Sequence, residues 1–371
     1  MLSFNNIYGQ PAALMRRRIW SGEERKVPSV SMLTANAFRP LGATSPPNIV
    51  PDHGVNNGRV NFLVVGDKVY TSADLRTMVL RFTHTGSGRW PAIYSIAERG
   101  GNVVIACGSG VPSSSATQYE SYVSVNDGLT FTSSPLGAVR RVMCAGGFFY
   151  GFPEFRGLSR CETGTSASVS LVMPVDTSWQ SVVYNGERYL AISSDGTVLA
   201  TSVDGLNFSV STTFAAFKLS ADIQPQNAFA VGRRFVLVEV RGNTVRSIVT
   251  EDGASFSVQS WQVFDGENGE RCLGVPQYAV MADGCAYLKM YTVDWAQIRR
   301  VRLIVSADGI TWRAFPPLAG SNVSGDSTSA GKAMFGLGPG KGLYVAQGLD
   351  SVVHVSETLN DRDFYYELGA A

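Results

Sequence analysis

One short pattern recurs along this chain, and a recurring pattern constrains the architecture more than any other feature. Its cleanest copy reads Ser306-Ala307-Asp308-Gly309-Ile310-Thr311-Trp312. It returns as Ser202-Val203-Asp204-Gly205-Leu206-Asn207-Phe208 and as Thr250-Glu251-Asp252-Gly253-Ala254-Ser255-Phe256. A longer copy runs Ser124-Val125-Asn126-Asp127-Gly128-Leu129-Thr130-Phe131. Each copy has the same surroundings. Upstream lies a hairpin, such as Ser181 to Ile192 around Asn185-Gly186, and Asn-Gly between two apolar runs is a strong hairpin signal. A third strand follows, here Val198 to Ser202, and the Asp-Gly turn leads into a fourth strand starting at Phe208. Four short antiparallel strands per unit is the make-up of a β-propeller blade.

The pattern has a local mechanism. An Asp carboxylate can accept hydrogen bonds from backbone N–H groups a few residues on, closing an Asx-type turn. The Gly after it tolerates a positive φ. The Ser or Thr hydroxyl can bond the same loop, and the aromatic starts the outer strand and can pack between sheets. On this reading Ser124, Asp127, Gly128 and Phe131 are structural, and so are Ser202, Asp204, Gly205 and Phe208. The same holds for Thr250, Asp252, Gly253 and Phe256, and for Ser306, Asp308, Gly309 and Trp312. None of these jobs needs a substrate.

Counting units requires worn copies. Ser72-Ala73-Asp74 follows the hairpin Phe62 to Tyr70, Glu162-Thr163-Gly164 follows Phe148 to Gly151, and Ser356-Glu357-Thr358 with Phe364 follows Gly342 to Ala346. The expected fold is therefore all-β: a propeller of about seven four-stranded antiparallel blades over residues 56–371, with an extended arm over residues 1–55. The arm lacks the unit, holds Pro11, Pro28, Pro40, Pro46, Pro47 and Pro51, and keeps apolar residues such as Leu14, Ile19, Trp20, Met32, Leu33 and Phe38. It reads as a segment that docks on another copy or another protein. Ser113 to Gln118 and Gly320 to Gly331 read as surface loops.

The repeat resembles the Asp-box, or BNR repeat, of sialidases and many other propellers. That resemblance implies a structural hairpin on the outer part of a blade, away from a central binding face, and it implies fold more than function. The Asp-Gly variant is similar to propeller proteins of bacteriophage tails and virion appendages. A sialidase-like site would need three Arg on a carboxylate, a Tyr–Glu pair and an Asp acid. Sialidases also carry Phe/Tyr-Arg-Ile/Leu-Pro ahead of the first full blade, whereas this chain reads Phe38-Arg39-Pro40-Leu41. Arg233, Arg234, Arg241 and Arg246 crowd one unit, as a solvated strand face also would.

Composition narrows the rest. With 371 residues, a net charge of +1 and 44% hydrophobic residues, the chain can build a large core but has no basic balance for nucleic acid. Arg16-Arg17-Arg18 is a short local run. The five cysteines Cys107, Cys144, Cys161, Cys272 and Cys285 form no CxxC and read as core residues made in a reducing compartment. The three histidines His53, His84 and His354 lack metal-site spacing, and Gly338-Pro339-Gly340-Lys341 precedes a strand, unlike a phosphate loop. No secretory signal or membrane span is read, and no cofactor is expected. The resemblance to phage-tail propellers implies a non-catalytic function: a structural protein of a tailed-phage virion, a tail or tail-appendage component, made in the host cytoplasm. It acts as an adhesion or docking module within a homo-oligomer or larger assembly. Its partners are other virion proteins through the arm, and a host surface glycan or receptor. The alternative is a sialidase-like glycoside hydrolase or a lectin-like propeller.

Overall fold

The computed structural model describes residues 39–40, 51–86, 89–110, 117–211, 228–241, 243–263, 271–272, 278–282, 285–296, 299–315, 334–336, 343–346 and 353–355. These form antiparallel sheets built on meanders of consecutive strands, with one added strand in each of the last two. Sheet I comprises His53–Asn56, Asn61–Val65, Lys68–Ser72 and Val79–Thr83. Sheet II comprises Arg89–Arg99, Asn102–Gly110, Thr117–Ser124 and Thr132–Ser133. Sheet III comprises Arg141–Ala145, Phe148–Phe152, Leu158–Cys161 and Val169–Leu171. Sheet IV comprises Trp179–Tyr184, Tyr189–Ser193, Leu199–Ser202 and Ser209–Val210. Sheet V comprises Ala228–Val231, Arg234–Arg241, Thr244–Thr250 and Ser257–Gln262. Sheet VI is built on Tyr278–Ala282, Cys285–Val293, Arg299–Ser306 and Arg313–Ala314. Sheet VII comprises Met334–Gly336, Leu343–Ala346, Val353–Val355 and, outermost, Arg39–Pro40. The first strand of each sheet adjoins the first strand of the next, and Met334–Gly336 returns to His53–Asn56, closing the ring.

The expected count was about seven four-stranded blades; six sheets have four strands, and sheet VI has five. The cause is the length of Cys285–Val293. Tyr278–Ala282 pairs with its first half, which leaves Thr292 and Val293 free to pair with Cys272 and Arg271 of the extra strand Arg271–Cys272. The all-β propeller with antiparallel blades otherwise stands as expected.

Every sheet is covered on both faces, and the sequence shows why. The second strands are near-continuous apolar runs, unlike the alternation of a half-exposed strand. In Tyr189–Ser193, Tyr189 and Ala191 pack against sheet III while Leu190 and Ile192 pack against sheet V. In Arg234–Arg241, Phe235 and Leu237 face sheet IV while Val236 and Val238 face sheet VI. The apolar core is thus divided among the interfaces between consecutive sheets, Phe62 and Val104 each lying in a different one. Cys107, Cys144, Cys161 and Cys285 are buried among these residues, and none of the five cysteines is in a disulfide.

A strand from ahead of the first sheet meets the last sheet. Arg39 pairs with Val355 and Pro40 with His354, so the outermost strand of the last sheet comes from the segment before the first sheet. The expected boundary at residue 55 falls inside the strand His53–Asn56. The arm residues Leu14, Ile19, Trp20, Met32, Leu33 and Phe38 lie outside the described residues, as do Gly320–Gly331, Gly338–Lys341, Ser356–Thr358 and Phe364.

Ring closure by a two-residue strand has a measurable consequence. A chain beginning at residue 51 lacks Arg39–Pro40 and is expected to unfold at a lower temperature than one beginning at residue 38, because an exposed edge replaces a paired one. Equal midpoints by circular dichroism would show that closure does not depend on this strand.

Candidate functional site

A four-stranded meander places its first-to-second and third-to-fourth connections at one end, and its second-to-third connection and the link to the next sheet at the other. The ring therefore has a turn face and an opposite, open face. The repeated turns lie on the turn face, between third and fourth strands.

Three copies are built alike. Asp308 Oδ1 accepts from the backbone N–H of Ile310 (2.8 Å) and Thr311 (2.7 Å) and from Ser306 Oγ (3.0 Å), while Ser306 Oγ accepts from Gly309 N–H (2.8 Å). Asp204 Oδ1 accepts from Leu206 and Asn207 N–H, and its Oδ2 from Asn207 Nδ2. Asp252 Oδ1 accepts from Ala254 and Ser255 N–H, with Thr250 in the serine role. The copy around Asp127 departs from the expectation. It is one residue longer, and the residue two after the serine is Asn126, whose Oδ1 accepts from Thr130 N–H (3.0 Å) and Ser124 Oγ (3.1 Å). Asp127 takes a positive φ of 57° and turns to sheet I, where it accepts from Asn57 Nδ2 (2.6 Å) and Arg59 Nη1 (3.3 Å).

Two further carboxylates do the same work. Asp74 accepts from Arg76 and Thr77 N–H, with Leu75 at φ 62° where the other copies have glycine. Asp195 accepts from Thr197 N–H and Ser193 Oγ, but in the second-to-third connection of sheet IV, on the open face. The worn copy at Glu162–Gly164 has no acidic acceptor; Ser166 Oγ accepts from Glu162 and Thr163 N–H instead.

Each turn is pressed onto the preceding sheet. A Cβ placed at Gly128 would meet Phe62 and Thr71 of sheet I, and one at Gly164 would meet Val104 and Val123 of sheet II. At Gly205 it would meet Tyr150 of sheet III, at Gly253 Thr201 of sheet IV, and at Gly309 Val236 of sheet V. The aromatics follow the same rule. Phe131 packs on Phe82 with centroids 5.0 Å apart, Phe208 on sheet III, and Phe256 on sheet IV. Trp312 is fully buried on sheet V, its Nε1 donating to Ser247 Oγ (2.9 Å). Polar links add to this: Tyr150 OH donates to Gly205 O (3.1 Å), Arg160 to Asp204 O (2.8 Å) and Asn185 Nδ2 to Glu251 O (3.1 Å). In the copies around Asp204, Asp252 and Asp308 the Ser or Thr, the Asp, the Gly and the aromatic all serve the turn or its contact with the preceding sheet; in the copy around Asp127, Asn126 takes the acceptor position instead. The crowded arginines are paired too: Arg233 with Glu187, Arg234 with Glu251 and Arg246 with Glu239, while the Arg241 side chain lies outside the described residues.

The open face carries chemistry that the repeat does not explain. Tyr94 and Tyr119 of sheet II lie with ring centroids 5.8 Å apart and planes at 59°. Tyr119 OH donates to Glu154 Oε1 (3.3 Å), which lies in the second-to-third connection of sheet III. Burial raises the Tyr119 phenol, with Glu154 adding to the shift and Arg140 opposing it. Next to Glu154, Phe155 is 74% exposed. Its loop is tied to the link between sheets III and IV: Arg156 pairs with Asp176, Ser178 Oγ donates to Phe155 O, and Gly157 bridges Ser178. Val172, in that link, is 90% exposed. Trp90, at φ 53°, and Trp295 also stand out on this face. Sequence reading missed this cluster, because its members are single residues in connections with no shared spacing.

Burial pushes the Cys144 and Cys272 thiols up to about 12, so they are protonated at neutral pH. Among the described residues no group of three or more His, Cys, Asp and Glu is placed to hold a metal ion, and no helix is long and apolar enough to cross a membrane. Arg39 and Pro40, set against the sialidase motif above, lie on the outermost strand of sheet VII, the farthest from the axis; Phe38 and Leu41 lie outside the described residues.

The turn carboxylates make an acid-stability prediction. Hydrogen bonds from the backbone N–H of Thr77 and Arg76 lower Asp74 to about 2; those of Asn207 and Leu206 lower Asp204, and those of Ser255 and Ala254 lower Asp252. A folded pKa below the unfolded value of about 4 contributes stability above that value, and the contribution is lost as pH falls through the folded pKa. The thermal midpoint is expected to fall from about pH 4 to pH 2. Asp204→Asn keeps an acceptor, as Asn126 does naturally, and is expected to flatten part of that slope; Asp204→Ala lowers the midpoint at neutral pH as well. An unchanged slope in Asp204→Asn would show that this carboxylate is not held as described.

No family model matches this chain, and no curated protein matches it. Solved structures do. The structure of YCF48 bound to D1 peptide is similar over 90% of this chain and all of its own, with a TM-score of 0.58 and 12% identity. YCF48 from Cyanidioschyzon merolae is similar over 86% of this chain and 98% of its own, with a TM-score of 0.52 and 14% identity. The β-propeller domain of Cps50 (Swd1) from Myceliophteria thermophila covers 83% of this chain and 96% of its own, with a TM-score of 0.50 and 10% identity. Likeness at such identities speaks to fold alone, and what it establishes is that this chain is a β-propeller.

Proposed function

We propose that this protein is a non-catalytic adhesion or docking module, a tail or tail-appendage component of a tailed bacteriophage, and that it binds through its open face. The observation that carries the reading is Phe155, an aromatic side chain 74% exposed on a loop that three separate interactions hold in place. Exposed apolar groups on a pinned loop, beside Val172 and Val175, are the material of an interface hot spot, since little ordering entropy is lost on contact. Among the described residues, the large apolar side chains exposed in the turns of the turn face are aliphatic, Val125, Leu129 and Val203, and those turns also hold the sheets together.

Other features support the reading. Five cysteines outside any disulfide, four of them buried, suit synthesis in a reducing cytoplasm. Arg39–Pro40 lies on the outer wall of the ring, so a contact made by the preceding segment with another virion protein would begin there. The similar YCF48 structure is bound to a peptide, the kind of partner a rigid ring with loop-borne anchors takes. The hydrolase alternative draws only on Tyr119 and Glu154, and a phenol raised by burial is a poor nucleophile at neutral pH.

The test joins particle composition to a paired substitution. Particles purified from the phage lysate are expected to contain the protein by mass spectrometry and to bind gold-labelled antibody at the tail. Phe155→Ser with Val172→Ser is expected to abolish incorporation or attachment while changing stability by less than about 0.5 kcal/mol, as exposed positions do. Asp308→Ala is expected to do the reverse, costing on the order of 1 kcal/mol and leaving attachment intact. Attachment lost in Asp308→Ala with unfolding unchanged, and kept in the Phe155 variant, would refute the assignment of faces.

A further inference from the structure

Sheet II stands taller than its neighbour on the open face. Its first two strands have 11 and 9 residues, where those of sheet III have 5 and 5. The extra length forms a lip, with Arg89 opposite Gly110 and Gly110 opposite Thr117. On the lip, Gly108 lies between the rings of Tyr94 and Tyr119, and a Cβ there would come within 2.9 Å of both. The glycine is what lets the two rings lie against the strand. Tyr94 is 38% exposed, and Tyr119 is held from the side by Glu154. Arg140, exposed in the link between sheets II and III, is close enough to affect the Tyr119 phenol.

We propose that this lip is a carbohydrate subsite that takes one neutral pyranose ring of an oligosaccharide. A pyranose presents an apolar C–H face and a rim of hydroxyls that both donate and accept. The lip offers the complement: two tilted aromatic rings, a carboxylate to accept and a guanidinium to donate. Two aromatic rings inclined to each other, with polar groups at their rim, suit a sugar better than an apolar peptide side chain, which needs a concave pocket. The Glu154 carboxylate at the rim disfavours a phosphate or sialic acid carboxylate by like-charge repulsion. The rings are fixed before binding, Tyr119 by its hydrogen bond and both by the strand beneath, so stacking costs little ordering. This inference rests on the adhesion reading of the open face and gives that face a second, chemically distinct contact.

The experiment uses the full chain against immobilised oligosaccharides of glucose, galactose, mannose, rhamnose and N-acetylhexosamines, followed by calorimetric titration of the best binder. Saturable binding to a neutral glycan is expected. Tyr94→Ala and Tyr119→Ala are each expected to weaken it by about tenfold or more, as truncated anchors do. Tyr119→Phe keeps the ring and loses the bond to Glu154, so it is expected to weaken binding less than Tyr119→Ala. It also serves as the folded control if the alanine variant does not fold. Phe155→Ser is expected to leave glycan affinity unchanged. No binding to any member at millimolar concentration would overturn the subsite, and so would affinity unaltered in the tyrosine variants. So would tyrosine variants that weaken protein docking and not sugar binding. The two readings separate cleanly: glycan binding absent with docking lost in the Phe155 variant removes the subsite alone, and glycan binding present with docking unaffected removes the Phe155 anchor alone.

Discussion

A short-stranded sheet with two apolar faces cannot exist alone, and in this protein neighbouring sheets cover one another's faces, with a turn from each sheet pressed onto the sheet before it. Ser306, Asp308 and Gly309 close one loop with four hydrogen bonds, and the same loop carries Trp312 onto the preceding sheet. Gly309 has no side chain because Val236 occupies the space. The turn thus spends its polar groups on its own backbone and its apolar groups on its neighbour. Repeated at Gly128, Gly164, Gly205 and Gly253, this arrangement sets the spacing between successive sheets and hence the curvature of the ring.

Dividing the core among interfaces has consequences for function. Each interface is small, so the ring depends on closure, which Arg39–Pro40 completes beside Val353–Val355. The turn face is committed to that task. The open face is free of it, and there the connections vary: a stapled loop at Phe155, a tall lip at Tyr94 and Tyr119, an exposed indole at Trp295. Rigid architecture on one side and variable chemistry on the other is what a binding scaffold requires.

Much of the fold was legible because the repeated unit writes its mechanism into adjacent residues. Serine, aspartate, glycine and aromatic fall within seven positions, and the structure uses them together. The register of the longer copy was not legible: Asp127-Gly128 matches the dipeptide, yet Asn126 sits at the acceptor position, since spacing from Ser124 decides which side chain reaches the backbone. The second strand edge of sheet VI was hidden, because Arg271–Cys272 is too short to show a period. Ring closure was hidden as well, since Arg39 finds Val355 only through the completed ring. The lip was out of reach for the same reason, its Tyr94, Tyr119 and Glu154 meeting only after two sheets have packed.

The turn glycines hold successive sheets at contact distance, and a double-mutant cycle between Gly309 and Val236 measures that contact. Gly309→Ala alone is expected to cost about 2 kcal/mol or more, from the methyl forced onto Val236 and from the positive φ of 76°. Val236→Ala alone is expected to cost about 2 kcal/mol through a lost buried side chain. If the turn is pressed against sheet V as described, the double variant recovers part of the first cost, with a favourable coupling of about 1 kcal/mol by denaturant unfolding. Costs that add with no coupling would contradict the account, for they would mean that Gly309 serves only its own turn.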